Sequence, residues 1–183
     1  MDWIKDIDWA KMRDFNPNFK PFLPADYNDP QDPFYAKVSK LQRLLMKRPL
    51  WLSDEYRNAQ AIEAIIYSYF SGTTFNVFYE VGDFQALIGF MKIHPGFKCE
   101  ITLKLIDSSL WGADFVRASK ELVELFIKEL KLKRVSIETA DKRISKMAKM
   151  AGFVEESIEG GRPNDLRWDG KYYPKFLLGK YGE

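Results

Sequence analysis

The residues best suited to chemistry lie between positions 100 and 153. Glu100 opens the run Glu100-Ile101-Thr102-Leu103-Lys104-Leu105-Ile106, which reads as a strand. Asp107 to Gly112 then form a turn, and an amphipathic helix begins at Ala113 with Asp114 and Arg117 in its first turns. A strand feeding a helix through a turn gathers free backbone N–H groups and the positive end of the helix dipole at one spot. That spot suits an anion such as a nucleotide or coenzyme pyrophosphate. Glu100, at the start of that strand, is a candidate general base or, beside Lys98, a solvent-facing glutamate, with Glu138 and Asp107 as fallbacks that also suit structural roles. Trp111 is placed either to stack on an adenine ring or, as aromatic residues in turns more often do, to plug the core. Arg143, Lys146 and Lys149 form a basic stripe that would either meet phosphates or serve as a solvated face.

These residues need a scaffold. The chain has 183 residues, 46% hydrophobic and 30% charged, which fits one globular domain. A formal net charge of +2 argues against nucleic acid or an anionic membrane as partner. The single cysteine, Cys99, allows no internal disulfide framework. With one histidine, His94, in a His-Pro-Gly turn and no Cys/His cluster, no metal site is expected. No run of about 18 apolar residues is present, so no membrane span is expected. The start Met1-Asp2-Trp3-Ile4-Lys5-Asp6 lacks the pattern of a secretion signal, and a cytoplasmic location is expected.

Residues 1–33 carry Pro17, Pro21, Pro24, Pro30 and Pro33 with six aromatic residues between or before them. This predicts an extended arm whose rings pack on its own domain or on another subunit. Helices are predicted over 33–47 and from the N-cap Ser53 to Tyr69, ending at Ser71-Gly72. Strands are predicted over 73–81, 86–93 and 99–106 as an antiparallel meander. A helix over 113–130 and a strand over 134–140 follow, the latter parallel to strand 99–106. A short helix from Asp141 buries Ile144, Met147, Ala148 and Ala151. The end is a hairpin over 166–179, turning at Asp169-Gly170, with Pro174 marking an edge or a bulge.

This order of elements resembles the GNAT acetyltransferase superfamily over roughly residues 34–181. The most specific match is Leu130-Lys131-Leu132-Lys133-Arg134-Val135, followed by Arg143 and Ala151-Gly152-Phe153; the close through Tyr172, Tyr173 and Gly179 matches too. The resemblance implies an α/β GNAT (acyl-CoA N-acyltransferase) fold, a mixed, mainly antiparallel sheet flanked by helices. It implies acetyl-CoA held between strands 99–106 and 135–139, with its pyrophosphate on the turn before the long helix. Ile106, Asp107, Trp111, Gly112, Ala113, Asp114, Arg117, Asp141 and Arg143 would then line the cofactor, with Glu100 as base.

The chain departs from the family pattern at four places. Ser109 stands where the family has a basic or amide residue, and Asp114 where it has a small one. Asp114 repels a pyrophosphate on the same amides, with Arg117 able to compensate. Ala148 stands where many members have the tyrosine that protonates the leaving thiolate. Asp141 replaces an asparagine but remains a good N-cap.

The expected division is an arm over 1–33 and a GNAT-like domain over 34–183. The expected activity is acetyl-CoA-dependent acetylation of a primary amine on a small molecule or protein. Trp168, Tyr172 and Tyr173 would line the acceptor pocket or serve equally well as packing. The alternative is an inactive GNAT-fold structural or interaction protein. The Trp111-Gly112 and His94-Pro95-Gly96 turns resemble phage-encoded members, so a virion component is the particular form of that alternative. The arm makes a homo-oligomer or larger assembly an expected partner arrangement.

Overall fold

The computed structural model describes residues 8–22, 29, 31–47, 59–68, 76–157, 162–166 and 171–182. Five helices arise where apolar residues recur three and four apart: α1 (Trp9–Arg13), α2 (Pro33–Met46), α3 (Ala59–Ser68), α4 (Ala113–Glu129) and α5 (Lys142–Met150). Asp32 caps α2 by accepting from the Phe34 amide at 2.8 Å, and Pro33 occupies the first turn, where its missing N–H costs nothing. Phe34, Val38, Leu41 and Leu45 make its buried stripe. Phe115, Val116, Leu122, Val123 and Phe126 do the same for α4.

The strands are β1 (Phe19–Pro21), β2 (Val77–Val81), β3 (Ala86–His94), β4 (Lys98–Leu105), β5 (Arg134–Thr139), β6 (Val154–Glu155), β7 (Arg162–Leu166) and β8 (Tyr172–Tyr181). They form one sheet in the order β1-β2-β3-β4-β5-β8-β6, with β7 pairing β8 off this path. Among the described strands only β4 and β5 run parallel, joined by the α4 crossover that such a pair requires. The expected mixed sheet, its meander and its single parallel pair are all present.

Alternation along the strands divides the core in two. Tyr79, Ile88, Phe90, Cys99, Ile101, Leu103, Leu105, Val135 and Ile137 pack with α4 and α5. Phe90 stacks on Phe126 of α4, with ring centroids 3.6 Å apart and planes 9° apart. On the other face Phe78, Leu87 and Ile106 pack with α2 and α3. Gly89 belongs to this second face. A Cβ there would lie 2.2 Å from Phe78 Cε1 and 2.9 Å from Thr102 Cγ2.

Residues 8–22 of the N-terminal segment are not simply extended. The first proline of the segment comes only at position 17, so α1 forms ahead of it. Beyond it β1 adds antiparallel to β2 at the sheet edge, where Pro21 is tolerated. Both pack on their own domain. Met12, Phe19 and Phe22 are buried, and the Tyr79 hydroxyl donates to the Met12 carbonyl at 2.6 Å.

Several expectations need adjustment. β6 is an additional strand too short to show a period. The last hairpin begins at Arg162 rather than at 166, and a register irregularity between Pro163 and Asp165 lies opposite Pro174. His94 ends β3, its side chain exposed. Ser53, Ile65, Tyr69, Ser71-Gly72, residues 73–75 and Asp169-Gly170 lie outside the described residues or side chains.

Two stability outcomes follow. Gly89→Ala forces Phe78 to move and is expected to cost about 1–3 kcal/mol in urea unfolding. The second concerns Cys99, whose thiol is pushed by burial from 9.0 up to about 12. Above pH 9.0 the unfolded chain loses this proton while the folded chain keeps it. Its contribution is therefore complete below that pH and is lost as pH rises toward about 12. Unfolding titrations of Cys99→Ala between those limits should show a stability loss shallower by about 1.4 kcal/mol per pH unit than in the parent.

Candidate functional site

The site begins where a ladder stops. β4 and β5 pair at Lys98↔Arg134, Cys99↔Val135, Glu100↔Ser136 and Ile101↔Ile137, and no further. Both strands continue. β4 stays on β3 to Ala86↔Leu105, and β5 stays on β8 to Thr139↔Phe176. Thr102 to Leu105 and Glu138 to Thr139 therefore flank a wedge in the middle of the sheet. The starts of α4 and α5 follow directly from its two arms.

The turn into α4 is fixed from behind. The amides of Ile106 and Asp107 both donate to the Gln85 carbonyl at 2.8 Å, and the Gln85 side chain donates to Ser109 Oγ at 3.3 Å. Asp107 accepts from the Ser109 amide at 2.8 Å, closing a short 3-10 turn over Ser108–Leu110. These bonds hold the turn in place and direct two candidate amides toward the turn between β2 and β3. Trp111 packs half-buried against the α4 core.

The start of α4 is open. Gly112 is its N-cap, no side chain caps it, and a Cβ on Gly112 would meet nothing within 4 Å. The first amide to find a helical acceptor is that of Val116, on the Gly112 carbonyl at 3.1 Å. The preceding amides therefore have no helical acceptor and lie at the positive end of the helix dipole, as an anion requires. Asp114 lies in this first turn, and the Arg117 guanidinium meets its carboxylate at 2.6 Å. The acid that would repel an anion is thus paired with a base one turn on. Gly112, Ala113, Asp114 and Arg117 are all exposed. An elongated anion would fit here on backbone groups.

At the start of α5, Asp141 accepts from the Arg143 amide at 2.9 Å, and the Arg143 side chain returns to the same carboxylate at 3.3 Å. The basic stripe is partly spent, because Lys149 pairs with Glu155 and holds that carboxyl below the usual range. Lys146 is exposed, while Ala148, at the family's tyrosine position, is buried among apolar residues.

Glu100 sits one residue below the apex of the wedge. It shares a face with Thr102 and Lys104, opposite to Cys99, Ile101 and Leu103, which fill the α4 side. Its carboxylate meets Lys92 Nζ at 2.8 Å. Lys92 has φ 50°, in a bulge between Met91 and His94, and its amide is held by the Asn76 side chain at 2.9 Å. Sequence reading missed Lys92, because a left-handed lysine carries no signal in residue type. Glu138, on the other arm of the wedge, pairs with Lys175 at 3.0 Å. Asp107 is occupied as a cap. Tyr172 is exposed and Tyr173 half-buried; Trp168 lies outside the described residues.

Among the described residues, no group of three or more His, Cys, Asp or Glu is placed to hold a metal ion. No helix there is long and apolar enough to cross a membrane.

No family model and no curated protein matches the sequence. Solved structures do match. A ribosomal L7/L12 alpha-N-protein acetyltransferase, RimL, in complex with coenzyme A aligns at TM-score 0.65 and 16% identity, over 91% of this chain and 95% of that one. An acetyl transferase from Salmonella typhimurium that modifies the N-terminal serine of ribosomal protein L7/L12 gives 0.65 and 16%, over 92% and 97%. A dodecameric spermidine N-acetyltransferase from Vibrio cholerae gives 0.58 and 13%, over 80% and 88%. From the splayed β4–β5 pair at its centre to the helices on both faces, the chain has the fold of the GNAT acetyltransferases.

Proposed function

We propose that this chain is an acetyl-CoA-dependent N-acetyltransferase acting on a primary amine. The observation that carries the reading is the wedge: a parallel ladder that ends at Ile101↔Ile137, with the uncapped start of α4 at its mouth. A wedge in a sheet leaves backbone groups for an extended, amide-bearing arm, and the helix start takes phosphates. The likeness to a structure solved with coenzyme A supports the same cofactor. Neighbours act on a protein N-terminus and on spermidine, so a small molecule or a protein is the acceptor class.

In this reading Gly112, Ala113 and Asp114 bind the pyrophosphate through their backbone, and Arg117 balances Asp114. Trp111 and Arg143 line the cofactor, Asp141 shapes the start of α5, and Ile106 and Asp107 set the turn. Glu100 takes a proton from the incoming ammonium. The freed amine attacks the thioester carbonyl carbon, the nitrogen gives its extra proton to solvent, the C–S bond breaks, and the thiolate departs. With Ala148 in place of a tyrosine, solvent protonates that thiolate.

Calorimetry with acetyl-CoA tests the cofactor site, and micromolar binding is expected. Ala113→Glu adds a carboxylate that suits the helix but opposes the phosphates. It should keep or raise the melting temperature while weakening acetyl-CoA by about tenfold or more, a loss of about 1.4 kcal/mol or more. Asp114→Asn should tighten binding. In an amine-acetylation assay, Glu100→Gln should lower kcat by about 10²–10⁴ with acetyl-CoA affinity unchanged; full activity in that variant would move the role to Glu138. If neither the parent nor Asp114→Asn binds acetyl-CoA, the second reading holds, a non-catalytic interaction protein on this fold. Asp114 at the anion turn is the observation that favours it.

A further inference from the structure

The wedge opens at one end of the sheet. At the other end two turns meet. The Phe97 carbonyl accepts from the Lys133 amide at 2.8 Å and from the Arg134 amide at 3.1 Å, and the Gly96 amide donates to the Leu130 carbonyl at 2.8 Å. Lys98 lies beside Arg134, which lies beside Tyr181. This brings together the exposed side chains of Phe97, Lys98, Lys128, Lys131, Lys133 and Tyr181. Phe97 and Tyr181 are among the most exposed large apolar residues described, at 58% and 62%.

Among the described residues, the carboxylates of Glu129 and Glu156 at this end are already committed. Glu129 is held by Lys11 at 2.6 Å. Glu156 is held by Arg134 and accepts from the Tyr181 hydroxyl at 2.5 Å. Lys98, Lys128 and Lys133 form no ion pair among the described residues. Among the described residues, this end thus concentrates positive charge around an exposed ring.

We infer that the surface formed by Phe97, Lys98, Lys128 and Lys133 docks an acidic protein segment carrying an apolar residue. Charge complementarity identifies the partner's sign, and Phe97 supplies an apolar contact inside the charged rim. The ring also separates a peptide from single-stranded nucleic acid. Lys98 Nζ lies 5.7 Å from the Phe97 centroid and covers a ring face on which a base would stack. The one arginine nearby, Arg134, is spent on Glu156 rather than offered as a fork for phosphate. The inference stands apart from the proposed acetyl transfer, since the patch lies at the opposite end of β4 from the wedge.

The test uses the full chain and a fluorescent glutamate-rich peptide bearing one phenylalanine, with anisotropy read at low and high salt. Binding is expected, weakening as salt rises. Lys98→Glu with Lys133→Glu should weaken it at least about tenfold, as should Phe97→Ser, with the melting temperature and any acetyl-CoA binding kept. The control Lys20→Glu with Lys47→Glu makes the same change in net charge elsewhere and should retain the peptide. Equal loss in the control, no loss in the patch variants, or no binding by the parent would overturn the inference. So would tighter binding of a single-stranded RNA homopolymer through the same lysines.

Discussion

The architecture turns on a conflict at β4. Its ladder with β3 runs to Leu105, and Cys99, Ile101, Leu103 and Leu105 are buried under α4. Those commitments fix its path along its whole length. β5 is equally committed to β8, through Thr139. The two strands meet for four residue pairs and then part, because the parallel pairing is the weaker interaction and gives way. The wedge is therefore not an insertion or a loop. It is what remains when two strands each obey a better partner. Phe90 and Phe126 stack between sheet and helix and fill space on the α4 side.

Much of this was legible in the residues. The helical stripe from Phe115 to Phe126 and the alternation from Cys99 to Leu105 are long enough to fix element type, and both ends fall within a residue of expectation. The parallel pair followed from the length of the connection. What was not legible depends on tertiary partners. Aromatic residues among prolines announced burial of the N-terminal segment, but not that Phe19 would join an edge strand and lie 6.2 Å from Phe115. β6 has two residues and exists only because β8 is there to pair with it. The pairing of Glu100 with Lys92 depends on a bulge that no residue type announces.

One device recurs. Asp8, Asp32, Asp107 and Asp141 each turn a carboxylate onto an amide two or three residues ahead. This explains why most acidic residues at element starts are structural, and why Asp107 and Asp141 serve geometry before chemistry. The same device is absent at α4, where Gly112 cannot supply it. The acid there is displaced two positions into the helix, as Asp114, and neutralised by Arg117. The candidate site is thus written partly as a missing cap, a signal visible in the sequence only against the pattern of the other turns.

The bond from the Tyr79 hydroxyl to the Met12 carbonyl joins residues 67 positions apart, and Phe19 reaches Phe115 nearly a hundred positions on. A ribosome makes the N-terminal segment first, yet its buried partners emerge much later. During synthesis Met12, Phe19 and Phe22 must wait in contact with water or with whatever shields nascent chains. This segment is made before the partners it packs on, and the sheet edge at β1 has no ladder to join until β2 has been made.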